Sequence, residues 1–356
     1  MTFARFMELS LDHPVHGYYA RGAKVLGSGG DYFTASDVGP AFGSCLAAQI
    51  GEFDAVLGHP DPVAVVEFGG GRGLLARDVL DALRSRHPEI GRRSRYVLGE
   101  ASSAMRAAAR RVAPEARVVS PDRVGCGHVG CAVAVELLDA LPVHRVRRRA
   151  GRLTEIRVDL DPQDRLIERE DDPLPEVLAS AEAYGAAPSE GDVAEVCPAM
   201  AGELRKIADC LDRGFIVVVD YGHEAAELYG PARSRGTLLA YHRHRTNEDF
   251  LERVGRQDLT AHVNFTMLDD AARDLGLVKL GRTTQDRFLI AHGILAPFEE
   301  QDPDRWREPA RVRERLQVLQ LIHPTGMGRI FHVSVFSKGV LPVPRLSGLE
   351  DPFARP

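Results

Sequence analysis

The run Val63-Ala-Val-Val-Glu-Phe-Gly-Gly-Gly-Arg-Gly73 carries the clearest chemistry in the chain. An apolar, β-branched stretch ends in an acid, Glu67, and passes through Gly69, Gly70, Gly71 and Gly73 into a helical pattern from Leu74 to Arg86. Glycines there let the backbone turn sharply and approach a ligand without Cβ interference, and the helix behind them opens on unpaired N–H groups. The spacing is Glu-x-Gly-x-Gly-x-Gly; a dinucleotide fingerprint would need its last glycine where Leu74 stands. An acid beside the turn would also repel a pyrophosphate. Glu100 ends Tyr96-Val-Leu-Gly one βα unit later, with Ala101 beside it, where a carboxylate can accept both hydroxyls of a ribose. Glu136 ends Cys131-Ala-Val-Ala-Val in the same way.

Three acids on one rim require a parallel sheet whose strands end side by side. The sequence supplies one: strands at 63–68, 96–100, 117–119 and 131–135 alternate with helices at 74–86 and 102–111, which implies ligands at the carboxyl ends of the strands. Before them, residues 1–60 read as an N-terminal cap; the glycine-rich stretch from Gly27, with Asp31 and Thr34, could fold over a ligand as a lid. Residues 61–220 read as the ligand-binding core. Within it, 145–158 looks like a hairpin with its arginines on a solvated face, and 159–189 like acidic loops around one short helix. Gly214-Phe-Ile-Val-Val-Val-Asp220 is a buried strand ending in an acid. Residues 221–265 form an insertion on the substrate side, because a connection so rich in His, Asp and Tyr is too long for a plain loop. Residues 266–340 complete the sheet, and 341–356 are expected to fray as a tail.

Composition narrows the function. At 356 residues and 44% hydrophobic the chain can bury a sizeable core, and a net charge of −6 gives no reason to propose nucleic acid. No apolar run is long enough to insert in a membrane. The five cysteines are scattered, no metal-ligand spacing emerges, and the first residues lack a secretory layout, so a cytoplasmic location with reduced thiols is expected.

Taken together the motifs resemble those of the MidA-like methyltransferases, a family of class I S-adenosylmethionine-dependent enzymes whose mitochondrial member is a complex I assembly factor. The resemblance runs from about Phe3 to Gly339. It is carried by His13-Pro-Val-His-Gly-Tyr-Tyr, Gly30-Asp-Tyr-Phe-Thr, Val66-Glu-Phe-Gly-Gly-Gly-Arg-Gly, Glu136-Leu-Leu-Asp-Ala-Leu-Pro-Val-His, Asp220-Tyr-Gly and Asp258-Leu-Thr-Ala-His-Val. It implies an α/β, Rossmann-like class I fold with a mostly parallel seven-stranded sheet, and S-adenosyl-L-methionine as cofactor. Its amino-acid end would lie at Glu67–Gly73 and its ribose at Glu100, with Ala101, Glu136, Asp31 and Thr34 around it. The chain departs from the family pattern at Val135, Asn264 and Ser36-Asp37.

The family's mitochondrial member makes symmetric dimethylarginine, which implies a protein arginine as acceptor. A guanidinium has no free lone pair at neutral pH, so carboxylates must grip it and leave one nitrogen poised for attack. Glu136 and Asp139 are the first choices for that grip, with Asp220, Asp258 and His262 in support. A small-metabolite acceptor, or an assembly factor that binds the cofactor and turns over little, are the alternatives. Homodimerisation is the one self-contact left open.

Overall fold

Every residue of β1 (Val63–Phe68) is buried, as a central parallel strand covered on both faces requires. In the computed structural model, which describes residues 1–25, 34–299 and 307–354, β1 lies between β2 (Ser94–Gly99) and β4 (His128–Val135), all parallel. β3 (Arg117–Val119) extends this sheet beyond β2. The intervening β5 to β8 (His144–Arg149, Arg152–Leu160, Leu166–Asp171 and Val193–Val196) form a separate antiparallel sheet in the order β7-β6-β5-β8. β9 (Leu211–His223) joins the main sheet parallel to β4. β10 (Leu239–His242), β11 (Arg245–Asn247) and β12 (Asp258–Thr260) make a small third sheet, and the two-residue β13 (Val263–Asn264) runs beside the end of β9. β14 (Val278–Thr284) and β15 (Phe331–Lys338) finish the main sheet, with the last strand inserted antiparallel between β9 and β14. The order is β14-β15-β9-β4-β1-β2-β3, so seven strands stand in line with β13 as a short addition.

Alternate residues of β1 feed two cores. Val63 and Val65 pack with the helices Ala41–Val56 and Leu74–Arg86 on one face; Ala64, Val66 and Phe68 pack with Ala199–Cys210 and Phe265–Asp274 on the other. The strand order reverses between β1 and β4, which opens a crevice at their carboxyl ends. Register places Phe68 opposite both Gly99 and Ala134, and Val135 opposite Val219. The next residues, Gly69, Glu100, Glu136 and Asp220, therefore emerge side by side on one rim.

Three expectations need correction. Residues 166–171, expected as acidic loop, form β7: its glutamates reach over β6 to the arginines of β5, with Arg147 bonded to Glu170 at 2.7 Å and Arg149 at 2.8 Å. Arg145, expected on a solvated face, is buried, paired with Glu168 and held 5.1 Å and 4.8 Å from the ring centres of Phe3 and Phe250. The C-terminal segment docks as well: the Ser347 N–H donates to Glu52 at 3.0 Å, and Leu346 is buried in the main core. Leu166-Ile-Glu-Arg-Glu-Asp171 lacks alternating apolar residues; its strand is stabilised by cross-strand charge rather than burial.

Candidate functional site

The crevice holds a cavity of about 360 Å³, within the usual range for small-molecule sites. Its floor is the glycine turn. Gly69 and Gly71 have φ of 72° and 51°, a region that side chains disfavour. A Cβ on Gly70 would stand 2.5 Å from Leu98 Cγ, so this position excludes any side chain for packing reasons. Glu100, buried at the end of β2, closes the turn: its Oε2 accepts from the Gly71 N–H at 2.9 Å and its Oε1 from the Ser102 N–H at 2.7 Å. Burial raises its pKa. Glu67 is buried under the turn, accepts from the Tyr96 hydroxyl at 2.8 Å, and is pushed up to about 7 by that burial. Ala101, Met105 and Pro121 wall one end, offering apolar contact for a base.

Glu136 lines the opposite wall. Its φ of 52° is unusual for a residue with a side chain, and strain of this kind costs about 1–3 kcal/mol and gathers at functional sites. Its Oε1 accepts from the Ala35 N–H at 2.9 Å. Burial, with Asp139 and Asp258 nearby, pushes its carboxyl up to about 8. Asp139 does not line the cavity but lies close by, 5% exposed; burial raises its carboxyl to about 6, opposed by the neighbouring Tyr221 hydroxyl. Asp258 is buried behind Glu136 and accepts from the Tyr19 hydroxyl at 3.1 Å and the Leu259 N–H at 3.1 Å.

The remaining sequence-predicted residues scatter. Asp220 does not line the cavity: its carboxylate accepts from the N–H groups of Leu138 at 2.8 Å, Asp139 at 3.3 Å and Tyr221 at 2.9 Å, and so shapes the turn that carries Asp139. His262 stands outside the cavity too, its ring 5.3 Å from Tyr221 and 5.2 Å from His223; burial first, then His223 and Arg233, lower its pKa to about 4. Thr34 lines the cavity, whereas Asp31 lies outside the described residues. Because Asp220 holds three buried amides, Asp220→Ala is expected to lower the unfolding free energy by about 2–3 kcal/mol through unpaired N–H groups. Denaturant titration reads this directly, and an unchanged midpoint would contradict the role.

Sequence reasoning missed several residues that the fold brings here. Asp37 binds Thr34 through Oδ2, with both the Thr34 N–H and hydroxyl donating at 3.1 Å, and pairs through Oδ1 with Arg72 of the glycine turn. The short helix Ala35–Val38 thus straddles the cavity from Arg72 to Glu136. Arg72 could have been found: it is the one charged residue inside the turn. Tyr221 and Thr260 stand on the insertion side, with the Tyr221 hydroxyl donating to Thr260 Oγ1 at 2.7 Å. Nothing in their local pattern marks them.

A parallel sheet with its last strand antiparallel, a glycine turn and an acid at the end of the second strand define a class I S-adenosylmethionine-dependent methyltransferase. The residues fit the cofactor: the cavity is of small-molecule size, Glu100 keeps lone pairs that would take ribose hydroxyls, and Glu67 lines it as an acid that would suit an ammonium. Residues 45–283 match the family described as "Putative S-adenosyl-L-methionine-dependent methyltransferase", and the chain belongs to it. A Burkholderia thailandensis protein crystallised with S-adenosyl-homocysteine is 32% identical, with a TM-score of 0.88 over 98% of this chain and 90% of that one. Among curated relatives, "Protein arginine methyltransferase NDUFAF7, mitochondrial" of Homo sapiens is 28% identical over 98% of this chain and 81% of its own length. Its Danio rerio counterpart is 26% identical over 98% and 89%. The chain is therefore an enzyme that transfers methyl from S-adenosylmethionine. The cytoplasmic expectation does not stand, since these curated relatives are named as mitochondrial. Scattered thiols and a missing secretory layout do not distinguish the two compartments. Among the described residues no helix is long and apolar enough to cross a membrane, and no group of side chains is arranged for a metal. The comparisons give a homodimer no support.

Proposed function

We propose that the acceptor is an arginine side chain of a protein. The observation that carries this reading is the pair of acids after β4: Glu136 lines the cofactor cavity, and Asp139, buried close by, adds to the burial that raises its carboxyl. A guanidinium, planar and permanently charged, satisfies two carboxylates at once and repays their desolvation. The arginine methyltransferase names of the curated relatives support the same reading.

The cofactor supplies an electrophilic methyl on a sulfonium. The chain's part is positional. Glu136, fixed by the Ala35 N–H and by its strained backbone, holds one edge of the guanidinium so that a nitrogen faces the cavity. Asp139, set by Asp220 through the 137–139 turn, draws charge toward the other nitrogens. The reacting nitrogen loses its proton once the new bond forms, and the carboxylates are the nearest acceptors. Whether one or two methyl groups are added, and on which nitrogens, follows from the room left beyond Glu136; symmetric dimethylarginine is the product by family likeness.

Incubating the purified chain with methyl-labelled cofactor in host extract tests the acceptor class. Label is expected in macromolecular protein. Label recovered only in small molecules would replace the reading with a metabolite methyltransferase, and cofactor binding without transfer would leave an assembly factor.

A further inference from the structure

Asp12 is the last residue of the helix Phe3–Asp12, a poor place for a carboxylate on three counts. It faces the negative end of its own helix, Glu8 lies one turn before it, and Glu100 lies opposite. Though Asp12 is open to solvent on one side, the protein around it and these two acids push its carboxyl up to about 6. Its side chain opens into the cofactor cavity, and among the described residues it has no hydrogen-bond or ion-pair partner. Asp12 makes no bond that serves the fold, yet it shares the wall of the cavity with Glu100, which places it for a ligand.

Glu100, across from it, is already bonded through both oxygens to the Gly71 and Ser102 N–H groups. A ribose presents two hydroxyl donors, and each Glu100 oxygen keeps one lone pair for them, so a second carboxylate on the same wall would add to the hold on the diol. We propose that Asp12 accepts a hydrogen bond from a ribose hydroxyl of S-adenosylmethionine, sharing the diol with Glu100. The N-terminal helix thereby becomes a wall of the cofactor site rather than a cap upon it. The Ser102 hydroxyl, which donates to the Tyr19 carbonyl at 2.8 Å, already ties the segment after this helix to the loop that follows Glu100. The proposal concerns the cofactor and is independent of which acceptor is used.

Calorimetry on the full chain tests it with two ligands, S-adenosyl-homocysteine and 5′-methylthioadenosine, which has the same ribose and no amino-acid end. Asp12→Ala is expected to weaken both by about 10-fold, the loss of one hydrogen bond to a charged group. Asp12→Asn, which keeps an acceptor oxygen, should lose less. Without ligand, both variants should melt no lower than the wild type at pH 8, because the exposed Asp12 carboxylate makes no bond that the fold would lose, so a weakened affinity could not be blamed on misfolding. Unchanged affinity for both ligands would overturn the proposal. So would a loss confined to S-adenosyl-homocysteine, which would place Asp12 at the amino-acid end.

Discussion

Glu136→Gln is expected to cut methyl transfer about 100-fold or more while leaving the affinity for S-adenosyl-homocysteine nearly intact. Glutamine keeps the shape of the side chain and can still accept from the Ala35 N–H, so the turn should hold. What it lacks is the charge that orients a cation in the transition state, and a charge-assisted bond lost there lowers kcat and kcat/KM together. The wild-type pH profile has a definite sign. With its carboxyl near 8 in the acceptor-free enzyme, Glu136 is mostly protonated at neutral pH. kcat/KM should therefore rise with pH and level off above about 8, whereas kcat should level off at lower pH because the bound cation favours the carboxylate. Stability moves the other way. The folded pKa is raised above the usual 4.5, so the native state keeps a proton that the unfolded chain releases. Wild-type stability falls between those values as pH rises, and Glu136→Gln is spared that loss. A slow variant that is also the more stable one above pH 8 would place the defect in chemistry rather than folding. Wild-type turnover on the true acceptor would remove Glu136 from the mechanism.

The second large effect is expected at the glycine turn. Gly70→Val should abolish measurable binding of S-adenosyl-homocysteine, a loss of at least about 100-fold. The first added carbon would lie 2.5 Å from Leu98 Cγ, and Leu98 is fully buried in the main core with nowhere to go. The turn must then move toward the cavity, displacing the Gly71 N–H that Glu100 accepts and filling space the ligand needs. Calorimetry reads the affinity, and thermal melting checks that the sheet survives. Retained affinity with an intact fold would show that the turn does not hold the cofactor.

The rim was legible in the sequence because its logic is local. Val63–Phe68, Tyr96–Gly99 and Cys131–Val135 are largely apolar runs within strands β1, β2 and β4, and the acid or glycine following each marks the carboxyl end. Helix Leu74–Arg86 falls where the pattern places it. The acceptor side was harder, because its residues meet only through the fold. Asp220 and His262 share a titratable, functional-looking neighbourhood in sequence, yet one secures backbone amides and the other packs between Tyr221 and His223 away from the cavity. Asp12, by contrast, stands 88 positions before Glu100 (100 − 12) and is brought opposite it by the packing of the first helix. β7 escaped notice because charge, rather than apolar alternation, secures it to its neighbours. Local spacing reveals the cofactor turn; tertiary contacts decide which acids face the acceptor.

Methyl transfer to a guanidinium at this site can be measured directly. Protein labelled by the wild-type enzyme from methyl-labelled S-adenosylmethionine should be hydrolysed to amino acids and the label assigned chromatographically. The account predicts label in ω-N-methylated arginines, absent when Gly70→Val replaces the wild type. Label in methyllysine, in base-labile methyl esters, or at any acceptor other than arginine would contradict it.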